Sequence, residues 1–129
     1  MGATTGLFAS PHYLAKAGEP DHPRELASFL FVGSDVAEKL TMWRPRNIGD
    51  FPIPQRVRLA TEPATMAAVV AGRGIGALSI SFAQAGLQAG QLVRVLPEWE
   101  VIDRAAMDKE IKAFPESLRM RSSARIIGP

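Results

Sequence analysis

The sequence predicts an α/β fold with a largely parallel sheet flanked by helices, and three observations carry that prediction. Short apolar runs of strand length ("GLFAS", "FLFV", "IGAL") alternate with stretches of helical spacing. "FLFV" is apolar throughout, which suits a strand covered on both faces. A chain of 129 residues, 47% of them hydrophobic, can bury one core, so one domain is expected.

Each element follows from local chemistry. "GLFAS" reads as a strand, and a helix begins near Pro11 and ends at Gly18. Pro20 and Pro23 punctuate a loop, after which "PRELASF" forms one or two helical turns with Pro23 at their start. "FLFV" is the next strand. "TMWRPRN" is a strand ended by Pro45, and "NIGDFPIPQ" is a proline-broken loop. "RVRLA" puts Val57 and Leu59 on one face and arginines on the other, and is expected to be a buried strand. In "TEPATMAAVVAG", Thr61 is the N-cap of a helix, Glu62 suits the positive end of its dipole, and Pro63 is tolerated in the first turn. Met66, Val69 and Val70 give that helix its core-facing stripe. "GIGALSI" is then a strand, "SFAQAGLQAG" a short helix, and "QLVRVLP" a strand closed by Pro97. There is no internal repeat or low-complexity segment.

One motif suggests a nucleotide. Gly72-x-Gly74-x-x-Ala77 has the spacing of a dinucleotide-binding loop. In that fold, however, the glycines follow a strand and open a helix, so that the pyrophosphate meets the helix N-terminus. Here the order is helix, glycine turn, strand. Gly72 is therefore expected to end the helix in the left-handed conformation, as helix C-termini commonly do. The glycines serve the fold.

Composition excludes further classes. The chain has no Cys, hence no disulfide and no thiolate metal site. No apolar run approaches the ~20 residues that cross a bilayer. "MGATTGLFAS" lacks the basic start and apolar centre of a secretory signal, so a cytoplasmic location without membrane contact is expected. A formal charge of +2 is too slight to imply nucleic-acid binding.

Catalysis is not expected. His12 and His22 are the only histidines, and they give no metal-ligand spacing. His22, between Asp21 and Pro23, reads as a solvated turn residue. Ser79 and Ser81 lack the G-x-S-x-G elbow that exposes a nucleophile. Asp103, Asp108 and Glu110 form a loose acidic surface cluster. No catalytic residue, metal site or cofactor is assigned.

The order and wording of several segments resemble the LysR-type transcriptional regulators. "LFASPHYLAKAGEPDHPREL" is similar to that family's strand, Ser-Pro, Tyr-Leu, Gly-x-Pro and following helix. "WRPR" stands where the family often has a Trp-Arg strand. "RVRLATEPATMAAVVAGRGIGAL" and "LQAGQLVRVLPEWE" resemble its later strand, helix, glycine turn and Val-Leu-Pro-x-Trp. "KAFPESLRMRSSARI" is a weaker match to its closing strand and helix.

The resemblance implies a periplasmic-binding-protein-like (type 2) effector domain, whose two α/β lobes hold a small metabolite between them. Residues 1–103 correspond to the second lobe. Residues 104–129 correspond to the strand returning to the first lobe and a truncated helix. DNA contact is then expected only through a helix-turn-helix domain absent from this chain. The implied partners are a small-molecule effector, often carboxylate-bearing in such regulators, and a second copy in a homo-oligomer. The chain departs from the family pattern at Ala60 and Thr61, where Asn or Asp is common, at Ser79, where Pro is frequent, and in "ARIIGP", which stops the last helix.

In an open α/β sheet, small molecules bind outside the carboxyl ends of the strands. That rule singles out Thr61 and Glu62 at the start of their helix, where free N–H groups favour an anionic group. Simple helix capping is the favoured alternative for Thr61, and the charge of Glu62 competes with an anion. Ser79 at the end of its strand and Trp43 as an apolar wall complete the candidate effector-binding set, with core packing the alternative for Trp43. Leu96 and Trp99 are expected to pack near the inter-lobe crossing. The competing reading is an interaction or dimerisation module, or a truncated remnant with no ligand of its own.

Overall fold

A computed structural model describes residues 5–34 and 38–102. The strands are β1 (Thr5–Ala9), β2 (Phe31–Gly33), β3 (Lys39–Arg44), β4 (Asn47–Pro52), β5 (Arg56–Arg58), β6 (Ile75–Ser79), β7 (Val93–Val95) and β8 (Glu100–Ile102). The α-helices are α1 (Pro11–Ala17), α2 (Glu62–Val70) and α3 (Ile80–Gln88), and a 3-10 segment spans Pro23–Ser28. The expected return strand and helix of residues 104–129, with the acidic cluster at Asp103, Asp108 and Glu110, lie outside the described residues.

The helices end where their termini can be satisfied. Ser10 caps α1, its hydroxyl accepting the Tyr13 N–H at 3.0 Å, and Pro11 opens the first turn. At the end of α2, Gly72 has φ +80°. Its N–H reaches the carbonyl of Val69, and that of Arg73 reaches Ala68, both at 3.0 Å. This double closure is a Schellman motif, and Gly90 (φ +75°) closes α3 in the same way. The glycine turn is a helix stop, as the element order requires.

The strands join one sheet in the order β4-β3-β8-β1-β6-β2-β5, with β7 also paired to β1. Only β5, β2 and β6 run parallel to one another; β1 is antiparallel to β6, β7 and β8, and β3 to β4 and β8. The sheet is therefore mixed, not largely parallel. The helix α2 crosses from β5 to β6, whereas β2 reaches β5 through β3 and β4, a tight hairpin turning through Arg46 at φ +67°.

Two segments differ from expectation in kind. "NIGDFPIPQ" contains β4, which its prolines do not forbid, since Pro52 falls at the strand's end on the outer edge of the sheet. "RVRLA" does form β5, but at the opposite edge and exposed along its length, with Val57 45% accessible. It is not a buried strand.

The central strands are covered on both faces. Leu7 and Ala9 of β1, Phe31 of β2 and Ile75 of β6 join Leu26, Met42, Ile53, Val95, Leu96 and Trp99 in one core. Their alternates Phe8, Val32 and Leu78 pack on the other face with Val69 of α2 and Ala83 of α3. Period-two alternation thus feeds two cores from the same strands. Val69 is fully buried, and Met66 and Val70 pack against that second core. Leu96 and Trp99 are buried as expected.

Candidate functional site

The three parallel strands end at one edge of the sheet. β2 and β5 run in register, and the pairing continues one step beyond them, with the Leu59 N–H donating to the Gly33 carbonyl at 2.7 Å. β6 ends on the same side at Ser79. Because β1 is antiparallel, its first residue Thr5 lies there too, opposite both Ser79 and Val101 of β8. The polypeptide thus enters β1 and leaves β8 at the edge where the parallel strands finish.

At this edge α2 and α3 begin. Thr61 adopts extended backbone angles, and its hydroxyl accepts the Ala64 N–H at 3.1 Å. The Thr61 carbonyl in turn accepts from the buried Thr65 hydroxyl at 3.1 Å. Thr61 is exposed, but as a capping residue its oxygen is already engaged. The Glu62 carboxylate accepts the backbone N–H of Ser79 at 2.8 Å. Ser79 is the N-cap of α3 without a capping bond from its own side chain. Glu62 thus supplies negative charge to the first turn of its own helix and to the cap of the next. An incoming carboxylate would compete with it at Ser79.

Three of the four expected residues therefore converge: Thr61 and Glu62 at the start of α2, and Ser79 at the start of α3. Trp43 does not join them by strand order. It lies on β3, and β8 and β1 stand between β3 and β6. Three inter-strand steps of about 4.8 Å separate it from Ser79 by roughly 14 Å. The residue is 36% accessible, so it is not a core residue either.

His22 lies elsewhere, half-buried in the turn that opens the 3-10 segment. It is the N-cap of the 3-10 segment, its Nδ1 accepting the Arg24 N–H at 3.2 Å. Its ring meets Trp99 edge-on at 5.5 Å and Phe51 at 5.6 Å. Among the described residues no group of three or more His, Asp or Glu side chains is arranged to hold a metal ion. No described helix is long and apolar enough to cross a membrane.

Comparison with known proteins places these features. Residues 4–107 match the family model of the LysR substrate binding domain. An HTH-type transcriptional repressor of Pseudomonas aeruginosa is 34% identical over 100 residues, covering 73% of this chain and 31% of the relative. An HTH-type transcriptional regulator of Xanthomonas campestris pv. campestris is 31% identical over 103 residues, covering 74% and 30%. The chain thus spans about a third of the length of these relatives. In fold it is similar to the full-length virulence activator AphB of Vibrio cholerae, a member of the LTTR family, with TM-score 0.64 and 24% identity over 78% of this chain and 35% of that one. It is also similar to the regulatory domain of CrgA, a LysR-type transcriptional regulator from Neisseria meningitidis. There the TM-score is 0.65 and the identity 20%, over 96% and 63% of the two chains.

Proposed function

The chain belongs to the LysR substrate binding domain family, and from that premise we propose that it is the ligand-sensing part of a transcriptional regulator. Residues 1–103 act as the second lobe of an effector domain, and a small metabolite binds at the edge formed by Thr61, Glu62 and Ser79. One observation carries this reading: the parallel strands and the starts of α2 and α3 converge at the edge where the chain enters β1 and leaves β8. A first lobe joined through those two strands would face this edge and close a cleft over it. The protein works in the cytoplasm as a sensor and not as a catalyst, and DNA is contacted by a helix-turn-helix domain outside these residues.

A carboxylate-bearing metabolite remains one candidate effector. To bind, it must displace Glu62 from Ser79 or use the donors that Thr61 leaves free at α2. A thermal-shift screen with carboxylates, amines and neutral metabolites tests the reading. Saturable stabilisation by one class, lost in Thr61→Val and Ser79→Ala, supports it; stabilisation that both variants retain would move the site elsewhere.

A second reading, an interaction module, has an observation of its own. Val57 is 45% accessible on edge strand β5, and exposed edges of this kind pair with other chains. Self-association by size-exclusion chromatography, abolished by Val57→Lys and without response to any metabolite, would favour it over the sensor.

A further inference from the structure

The ring cluster around Trp99 is not used by the proposed effector site, which lies among the starts of α2 and α3. Trp99 directly precedes β8 and is 1% accessible. Phe51 of β4 meets it edge-on at 5.9 Å and His22 at 5.5 Å, while the Arg44 guanidinium lies 4.5 Å from its ring centroid. These contacts tie the 3-10 segment and the β3–β4 hairpin to the turn between β7 and β8. Trp99 is held by its rings and its backbone alone. Its N–H donates to Leu96 at 2.9 Å and its carbonyl accepts from Arg94 at 3.0 Å. Its buried indole N–H has no acceptor among the described residues.

We propose that this cluster is a proton-sensitive latch: neutral His22 holds the 3-10 segment against Trp99, and protonation releases it. The reason lies in the imidazole's hydrogen bond. Nδ1 accepts the Arg24 N–H, so the ring must be unprotonated at that nitrogen. In the imidazolium both nitrogens are donors; the cap is lost and two N–H groups oppose each other. The new cation would also share the Trp99 ring with Arg44, which already occupies it. The charged groups acting on His22 are Arg24 and Glu25 of its own segment and Arg44 of β3. Glu25 favours the imidazolium, but its Oε1 also accepts the Asp21 N–H at 2.7 Å. Burial first, then Arg24 and Arg44, hold the imidazole below its ordinary value of 6.5.

The chain has two tryptophans and two histidines, which makes the test direct. In a Trp43→Phe background only Trp99 emits, and release of the cluster would expose its buried indole to water and shift the emission to the red. The shift should run between pH 8 and 5 along a one-proton curve with a midpoint below 6.5, and it should vanish on adding His22→Gln. In His12→Gln only His22 remains, so its imidazole proton signal gives the same midpoint without altering the cluster. A flat emission profile, a shift that persists in His22→Gln, or a midpoint at or above 6.5 would overturn the latch. Effector binding does not enter either measurement, so failure of the sensor reading leaves this test intact.

Discussion

The Glu62 carboxylate accepts the backbone N–H of Ser79 at 2.8 Å, joining the starts of two helices across seventeen positions of sequence. A carboxylate on a helix-start N–H is charge-assisted, and such bonds contribute about 1.5–3 kcal/mol. Both residues are partly buried, so solvent weakens the bond somewhat. Glu62→Ala should cost about 1–2 kcal/mol in equilibrium unfolding, and Glu62→Gln, which keeps an acceptor, less. Equal losses for the two would mean that the bond contributes nothing and that only the α2 dipole is being read.

The glycines of the turn are needed for different reasons, and their variants should rank accordingly. Gly72 has φ +80° with its nearest neighbour, Ser10 Oγ, 3.4 Å from an added Cβ. Gly72→Ala therefore meets backbone strain alone and should cost on the order of 1 kcal/mol. At Gly74 an added Cβ would stand 2.6 Å from the Leu30 carbonyl oxygen. That oxygen accepts the Ile75 N–H at 2.9 Å and cannot retreat without breaking the β2–β6 ladder. Gly74→Ala should be clearly the worse of the two in denaturant midpoint. Neither variant should change nucleotide binding, and saturable binding of NAD by the parent would reinstate the phosphate-loop reading.

These positions also show what the sequence made legible. Helix ends are local: a capping hydroxyl, a proline in the first turn and a glycine at the stop lie within a few residues of each other, so α1, α2 and the Gly72 turn could be read directly. Strand direction is not local. Alternating apolar runs say nothing about which way β1 runs, and its antiparallel course makes the sheet mixed. "RVRLA" alternates as a half-buried strand would, but whether a partner covers it depends on its edge position. In "NIGDFPIPQ" the prolines outweighed the pairing of Asn47 to Pro52 with β3. The candidate site was legible as single residues, Thr61 by capping chemistry and Ser79 by resemblance. The Glu62–Ser79 bond was not, because no spacing rule links residues brought together by a crossover. The turn position of His22 was legible but its ring contacts were not, because Phe51 and Trp99 lie far away in sequence.

Ile75 tests the buried sheet itself. It is inaccessible, packs in the core with Leu7, Phe31 and Trp99, and pairs with Phe31 of β2. Ile75→Asp places an unpartnered carboxylate there, a cost of about several kcal/mol, comparable with the whole stability of a small domain. The variant should be insoluble or show no cooperative melting. A soluble, cooperatively unfolding Ile75→Asp chain would contradict the two-faced burial of β6.

The pH dependence of stability separates His22 from the carboxylates that also titrate in acid. Its folded pKa lies below the unfolded value of about 6.5, because burial and the charges of Arg24 and Arg44 disfavour the imidazolium. Below that value the unfolded chain binds a proton that the folded chain resists, so folding stability rises with pH through this window. The contribution of His22 is therefore complete above the unfolded pKa and is lost as pH falls toward the folded one. His22→Gln removes the titrating group. The stability difference between parent and variant should be constant from pH 8 to 7 and shift against the parent as the pH falls from 6.5 to 5. Unfolding by urea at each pH measures that difference. A difference that stays constant to pH 5 would mean that the imidazole takes up its proton equally in both states, and that burial against Trp99 exerts no control over it.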